Sequence, residues 1–368
     1  MALTTVSPLL LDTQAQYTGF KNRIINGAMV IDQRNAGASV TPTSSTYTLD
    51  RWQSVLSQAS KYSVQQNAGA VTPPVGYNNY LGVTSLSAYS VAVGDFFLLT
   101  HYIEGFNTAD LGFGLATAST VTLSFWVRSS LTGSFGGSLQ NSLQNRCYPF
   151  LYTINSANTW TQINITIPGD TTGTWLTGIG RGIGVVFGLG VGSTFGSGTA
   201  GAWVGSQVFV PTGSTSVVGT SGATFYVTGV QLEKGTQATS FDYRPYGTEL
   251  ALCQAYYDKS YDIATVPGTA TKVGSVSGNI LAGIIGTASY AVSFSVPFSV
   301  RMRGTPTVSI YDSAGTINTY TGNNSGVYTD GQGSFSLVNI GTRQFWFQNT
   351  NASSRYAGMF HYIASAEL

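Results

Sequence analysis

Charge is what this sequence has least of. Only 8% of its 368 residues are Asp, Glu, Lys or Arg, against roughly a quarter in an average soluble domain. The 16 basic and 15 acidic residues leave a formal net charge of +1, with no basic run. Recognition of a nucleic-acid backbone takes several clustered cations, so no nucleic-acid partner is expected. Cysteine is almost missing too: Cys147 and Cys253 are the two present, in different predicted domains, which excludes a disulfide framework and predicts two buried thiols. The two histidines, His101 and His361, offer no zinc spacing with them. Long apolar runs are also wanting. The nearest, residues 176–195, is broken by Arg181 and repeated glycines, so membrane insertion is not expected. Met1 to Leu11 lacks the basic start and sufficient apolar core of a secretion signal.

Catalytic signatures are equally scarce. There is no Gly-Lys dipeptide for a phosphate loop and no Gly-x-Ser-x-Gly elbow to present a nucleophile. Gly196-Ser-Gly-Thr-Ala-Gly201 matches G-x-G-x-x-G, but Ala202 onward reads as more strand rather than the helix a dinucleotide fold requires. Glycoside hydrolysis needs two carboxylates about 5–10 Å apart. No charged residue lies between Arg181 and Glu233, and the remaining pairs, Glu104 with Asp110 and Asp312 with Asp330, carry no pattern. The expectation is a protein without catalytic residues, metal or cofactor.

What is abundant is glycine (45) and aromatic side chain, with 21 Tyr, 19 Phe and 6 Trp, among Ser, Thr, Asn and Gln. That is an all-β composition. Val121-Thr-Leu-Ser-Phe-Trp-Val-Arg128 alternates strictly and predicts a strand with Val121, Leu123, Phe125 and Val127 inward. Residues 160–168 repeat the alternation and stop at Pro168-Gly169-Asp170, and 225–232 is a further one-faced strand. Ile24 to Ile31 reads as a strand kinked at Asn26-Gly27, and Tyr47 to Leu56 as one anchored by Trp52. The period then changes. Pro245 keeps Arg244 extended, and after Gly247 a cap at Thr248, Glu249 in the first turn and a stripe of Leu250, Cys253 (or Gln254) and Tyr257 predict one helix. Beyond it come Ile280–Ile285, Tyr290–Val300, 306–311, 335–340, 344–349 and 356–364 as strands, with Tyr311 to Ser334 a long polar loop or hairpin.

The division this predicts is an arm at 1–20, an N-terminal jelly-roll β-sandwich at 21–246, a short linker helix at 247–258 and a smaller C-terminal antiparallel β-domain at 259–368. Sugar binding asks for exposed rings beside amides and hydroxyls. Trp52 and Trp126 read as core, while Trp160, Trp175 and Trp203 lie near strand ends. Tyr320, Asn323, Asn324 and Tyr328 share the longest polar loop, which makes them the candidate ligand-binding residues. Leu250 and Tyr257 are the candidate oligomerisation residues.

VTLSFWVR (121–128), WTQINITIPGDTTGTW (160–175) and FYVTGVQLEKG (225–235) together resemble the strands of carbohydrate-binding-module-like jelly rolls. NRIINGAMVIDQRN (22–35), YTLDRW (47–52), FDYRPYGTELALCQAYY (241–257) and the ending ASAEL (364–368) resemble a pattern in tail-fibre and other virion structural proteins of bacteriophages and cyanophages. The resemblance implies a non-catalytic virion protein on the tail, a homotrimer, with an N-terminal arm bound to tail or baseplate proteins and a C-terminal tip touching host cell-surface polysaccharide. A capsid decoration or head-fibre protein and a polysaccharide-degrading tailspike are the alternatives. The chain departs from sugar-binding jelly rolls at the calcium position: Asn26, Gly27 and Glu233 fall short of the six to eight oxygens calcium takes.

Overall fold

The computed structural model describes residues 21–278, 293–324, 327–349 and 357–368. The predicted arm at 1–20 and the predicted strand at Ile280–Ile285 lie outside them. Among the described residues the protein is all-β with one α-helix, in keeping with its composition. Its contacts divide it into two units, one of residues 1–30, 39–48 and 52–244 and one of residues 31–38, 49–51 and 245–368.

The first unit is a two-sheet antiparallel sandwich. Its strands are β1 (Thr46–Leu49), β2 (Trp52–Leu56), β3 (Tyr62–Gln66), β4 (Leu81–Ser85), β5 (Phe96–Glu104), β6 (Val121–Ser129), β7 (Gly133–Gln140), β8 (Cys147–Ile154), β9 (Thr161–Ile167), β10 (Arg181–Val191) and β11 (Thr224–Lys234). One sheet runs β1-β2-β5-β10-β7-β8 and the other β3-β4-β11-β6-β9. Val121, Leu123, Phe125 and Val127 point inward as their alternation predicts. Phe125 meets Phe187 of the opposite sheet edge to face at 5.0 Å, and Trp52 meets His101 at 5.1 Å. His101 is a core ring whose Nε2 lies 2.9 Å from the Ile25 carbonyl. In β11 the inward set changes from Phe225 and Val227 to Val230 and Leu232 across a bulge at Gly229 (φ +61°). A side chain there would strike the Tyr77 ring, so only glycine permits the extra residue.

Ile24 to Ile31 forms turns, not the strand its apolar spacing predicts. Asn26 and Met29 take positive φ, which breaks the extended repeat. The turns hold because Asn22 reaches β11: its Nδ2 donates to the Val230 carbonyl at 3.0 Å and its Oδ1 accepts from Leu232 N–H at 3.2 Å. Gly27 packs so tightly there that a Cβ would sit 2.2 Å from the Val230 oxygen. The 241–244 link is extended, and Arg244 donates to the Ile24 and Asn22 carbonyls.

The second unit contains α1 (Tyr246–Gln254) and strands β12 (Tyr257–Lys259), β13 (Val276–Gly278), β14 (Ser293–Pro297), β15 (Thr307–Tyr311), β16 (Tyr320–Asn324), β17 (Val327–Gln332), β18 (Phe335–Val338), β19 (Gln344–Asn349) and β20 (Ala357–Ser365). β20 is its spine, pairing with β12, β13, β15 and β16, while β14-β19-β18 is a separate sheet. Phe345, Phe347, Phe360 and Ile310 fill the space between. The helix ends at Gln254, earlier than predicted, and buries Glu249 and Cys253 with Leu250 half-covered. Tyr257 therefore lies on β12 and not on the helical stripe.

The segments 31–38 and 49–51 enter this unit through polar contacts. The Asp50 carboxylate accepts from Gln33 N–H and Nε2, both at 2.7 Å, and Gln33 Nε2 also donates to the Tyr257 carbonyl at 2.8 Å. Glu367 accepts from Arg34 at 2.8 Å and from Arg51. The two guanidinium groups lie over aromatic rings, Arg34 at 3.8 Å from the centre of Tyr257 and Arg51 at 3.5 Å from that of Tyr256. Burial pushes the Asp50 carboxyl up to about 6, against the pull of Arg34 and the Gln33 hydrogen bonds.

Candidate functional site

Three loops of the sandwich converge on an open cavity of about 310 Å³. The first follows β5 and winds through two short 3-10 turns, Gly105–Asn107 and Ala109–Leu111, bringing Thr108, Phe113 and Leu115 to the wall. The second joins β9 to β10 and brings Thr174, Trp175 and Leu176. The third follows β10 and places Trp203 behind them. Phe113 and Trp175 meet edge to face at 4.8 Å, Trp175 and Trp203 at 5.5 Å, and Phe113 and Trp203 at 5.8 Å. Such mutually perpendicular rings brace one another through their quadrupoles.

The indole N–H groups are already committed. Trp175 donates to the Thr172 carbonyl at 3.2 Å and Trp203 to the Pro168 carbonyl at 2.7 Å. The cavity thus offers a ligand the Phe113 and Trp175 rings, the Thr174 and Thr177 side chains and loop backbone, while the Thr108 hydroxyl donates to the Gly105 carbonyl at 3.2 Å. The exposed Leu115 and Leu176 form its rim.

The loop carrying Trp175 is held by a charge pair. Arg146 donates Nε and Nη2 to the two oxygens of Asp170, each at 2.7 Å, and Asp170 also accepts from the Thr172 N–H and hydroxyl. Burial alone would raise the Asp170 carboxyl, but these donors outweigh it and hold it below the usual carboxylate range. Asn141 ties the same loop from the other side, Nδ2 to the Thr174 carbonyl at 3.0 Å.

A second aromatic group lies on the outer face of the five-stranded sheet, where Tyr80 packs 5.5 Å from Trp160 and 5.1 Å from Tyr226. Trp160 donates to the Thr72 carbonyl at 2.9 Å. Trp52 is fully buried core; Trp126 is half-buried on that outer face.

Of the candidates predicted in the C-terminal hairpin, Tyr320 does not reach the surface. Tyr320 is 1% exposed and packs 5.3 Å from Phe347, so it is core and cannot stack on a ligand. Asn323 and Asn324 pair in register with Tyr328 and Val327. Tyr328 is 50% exposed with Lys272 Nζ 4.0 Å from its ring centre. Tyr257, predicted to meet its copies, is 4% exposed beneath Arg34 within its own unit. Of the acidic pairs, Asp312 accepts from Ala314, Thr316 and Gly331 N–H and from Thr319 Oγ1, while Asp330 accepts from Ser313 and Thr321. Both carboxylates hold turns. At the position weighed for calcium, Glu233 accepts from Thr239 and Gln231.

No family model and no curated protein matches this chain. Among solved structures it is similar to a family 4 carbohydrate-binding module (15% identity, TM-score 0.29, covering 58% of this chain and 99% of that one). It is also similar to the enzymatically active domain of tailspike protein 4 of bacteriophage CBA120 (12% identity, TM-score 0.29, 58% of this chain and 21% of that one). A third likeness is to TmCBM61 in complex with β-1,4-galactotriose (10% identity, TM-score 0.27, 50% and 88%). Likenesses of this size carry neither the site nor its ligand over to this chain.

Proposed function

We propose that the protein is a non-catalytic glycan-binding component of a phage virion, a tail fibre or fibre-like adhesin, and that the cavity at Phe113 and Trp175 is its sugar-contact site. The observation that supports the binding reading most is the braced ring cluster beside an open cavity lined by Phe113 and Trp175, with indole donors spent on backbone. Stacking on the apolar face of a pyranose uses ring faces, and threonine hydroxyls suit its edge. The carboxylate bordering the site, Asp170, is locked to Arg146, which suits positioning and not proton transfer. The virion reading is supported by the motif resemblance at 22–35, 47–52, 241–257 and 364–368. Assembly as a homotrimer would add avidity from linked weak sites.

Binding of the whole chain to a glycan array and to host envelope polysaccharide tests this. Trp175→Ala should weaken binding about tenfold, or ~1.4 kcal/mol, with the fold intact. Unchanged binding removes the cavity from the function, and release of reducing ends from the bound polysaccharide overturns the non-catalytic part. Antibody label on the capsid with none on the tail would reject the fibre assignment.

A further inference from the structure

Arg181, the first residue of β10, is a cation with no carboxylate partner among the described residues. Its side chain lies across the outer face of the six-stranded sheet, over Gly184, where a Cβ would come within 2.6 Å of Arg181 Nη2. Gly184 is flanked in register by Tyr102 on β5 and Gln140 on β7. The guanidinium sits 4.1 Å from the Tyr102 ring centre and donates one hydrogen bond, Nη2 to Gln140 Oε1 at 3.2 Å. Gln140 is fully buried and fixed from behind, donating to Ser138 Oγ and the Val208 carbonyl.

A guanidinium has five donors. Here Nε is sealed from solvent and donates to nothing among the described residues, while the side chain as a whole is only partly covered. Withdrawing a cation from water without a counter-charge is costly, and burial holds this guanidinium below the usual arginine value. The chain holds 15 acidic residues, yet none is spent here, although Arg23, Arg34, Arg51 and Arg146 each have one.

We propose that this slot receives the carboxylate of an acidic sugar, which supplies the missing counter-charge through the planar fork of Arg181. The Tyr102 ring against the guanidinium and the hydrogen bond to Gln140 hold the group in place, and a planar fork of donors favours a planar carboxylate. The sugar part rests on the glycan-binding reading; the anion part does not.

The test uses the full chain with two probes of one skeleton, trigalacturonate and its neutral methyl ester, measured by calorimetry. The wild type should bind the acid at least tenfold more tightly than the ester. Arg181→Gln should abolish that preference by bringing affinity for the acid down to that for the ester, and Arg181→Lys, which keeps charge but loses the fork, should fall between. A wild type with no preference, or an Arg181→Gln protein that keeps it, overturns the proposal while ester binding leaves the glycan reading standing. Failure of both probes counts against both. A response to inorganic sulfate without one to trigalacturonate overturns the sugar-carboxylate assignment. Thermal midpoints establish that the variants are folded, and Arg181→Lys alone decides the matter if Arg181→Gln is not.

Discussion

The two units solve one problem, closing a sheet structure on few charges, in opposite ways. The first closes on rings: Trp52, Phe125, Phe187 and Phe225 fill the space between two sheets, and its tightest ion pair, Arg146–Asp170, merely steadies a loop. The second has its own aromatic core but is joined to its N-terminal segments by buried charge. Asp50, Arg51 and Glu367 are almost wholly inaccessible, and Arg34 and Arg51 come from a part of the sequence more than 300 positions from Glu367. An apolar core tolerates the loss of one member by partial collapse. A buried carboxylate that loses its cationic partners is left as a stranded charge.

The largest expected effect follows from that contrast. A fragment of residues 245–368 lacks Gln33, Arg34, Asp50 and Arg51, and it should fail to give the dispersed amide spectrum that the whole chain gives. A folded, dispersed fragment would show that the charge network is dispensable. Next, Arg34→Met and Arg51→Met together should cost the second unit about 3–5 kcal/mol by leaving Glu367, which accepts from both, unpaired, whereas adding Glu367→Leu should recover most of it. Hydrogen exchange resolved by unit is the measurement, and an equal loss in both variants would refute the ion-pair account. Trp52→Ala should cost the first unit a similar ~3–5 kcal/mol by cavity formation, with no second substitution able to restore it so simply.

A smaller effect separates the units by pH. Asp50 should titrate near 6 and Asp170 below the ordinary carboxylate value, readable from their side-chain carbon shifts. For Asp50 the folded state takes up its proton at higher pH than the unfolded chain, so its share of stability grows as pH falls from about 7 through 6. His361 opposes it in the same unit, since burial holds its ring below the usual value and the folded state resists protonation. Asp170 contributes stability that is lost only as pH falls through its depressed value, below the ordinary carboxylate range. Matching midpoints for Asp50 and Asp170 would erase the distinction.

Much of the first unit could be read from sequence because its strands obey a period of two, as at 121–128 and at 160–168, the latter stopping at Pro168. The turns at 22–31 defeated that reading, since their apolar residues are held by Asn22 and β11, more than 200 positions away. The cavity was only half legible. Trp175 and Trp203 stood out near strand ends, but Phe113, Thr108 and the Arg146–Asp170 brace carry no period and meet only when three distant loops fold together. The hairpin residues misled for a related reason: Tyr320 and Tyr328 look alike in a polar stretch, yet pairing of β16 with β20 and packing on Phe347 turn Tyr320 into the core. The segments DQRN, LDRW and ASAEL carry the residues of the buried polar network of Arg34, Asp50, Arg51 and Glu367.

The most direct test of the claim that sugar is met by rings in the first unit is to follow the indole N–H signals of the six tryptophans while host envelope oligosaccharide is titrated into the whole protein. The account predicts saturable shifts at Trp175 and Trp203 with Trp52 unmoved. Saturation accompanied by silent Trp175 and Trp203 signals, with perturbation confined to residues 293–368, would contradict it.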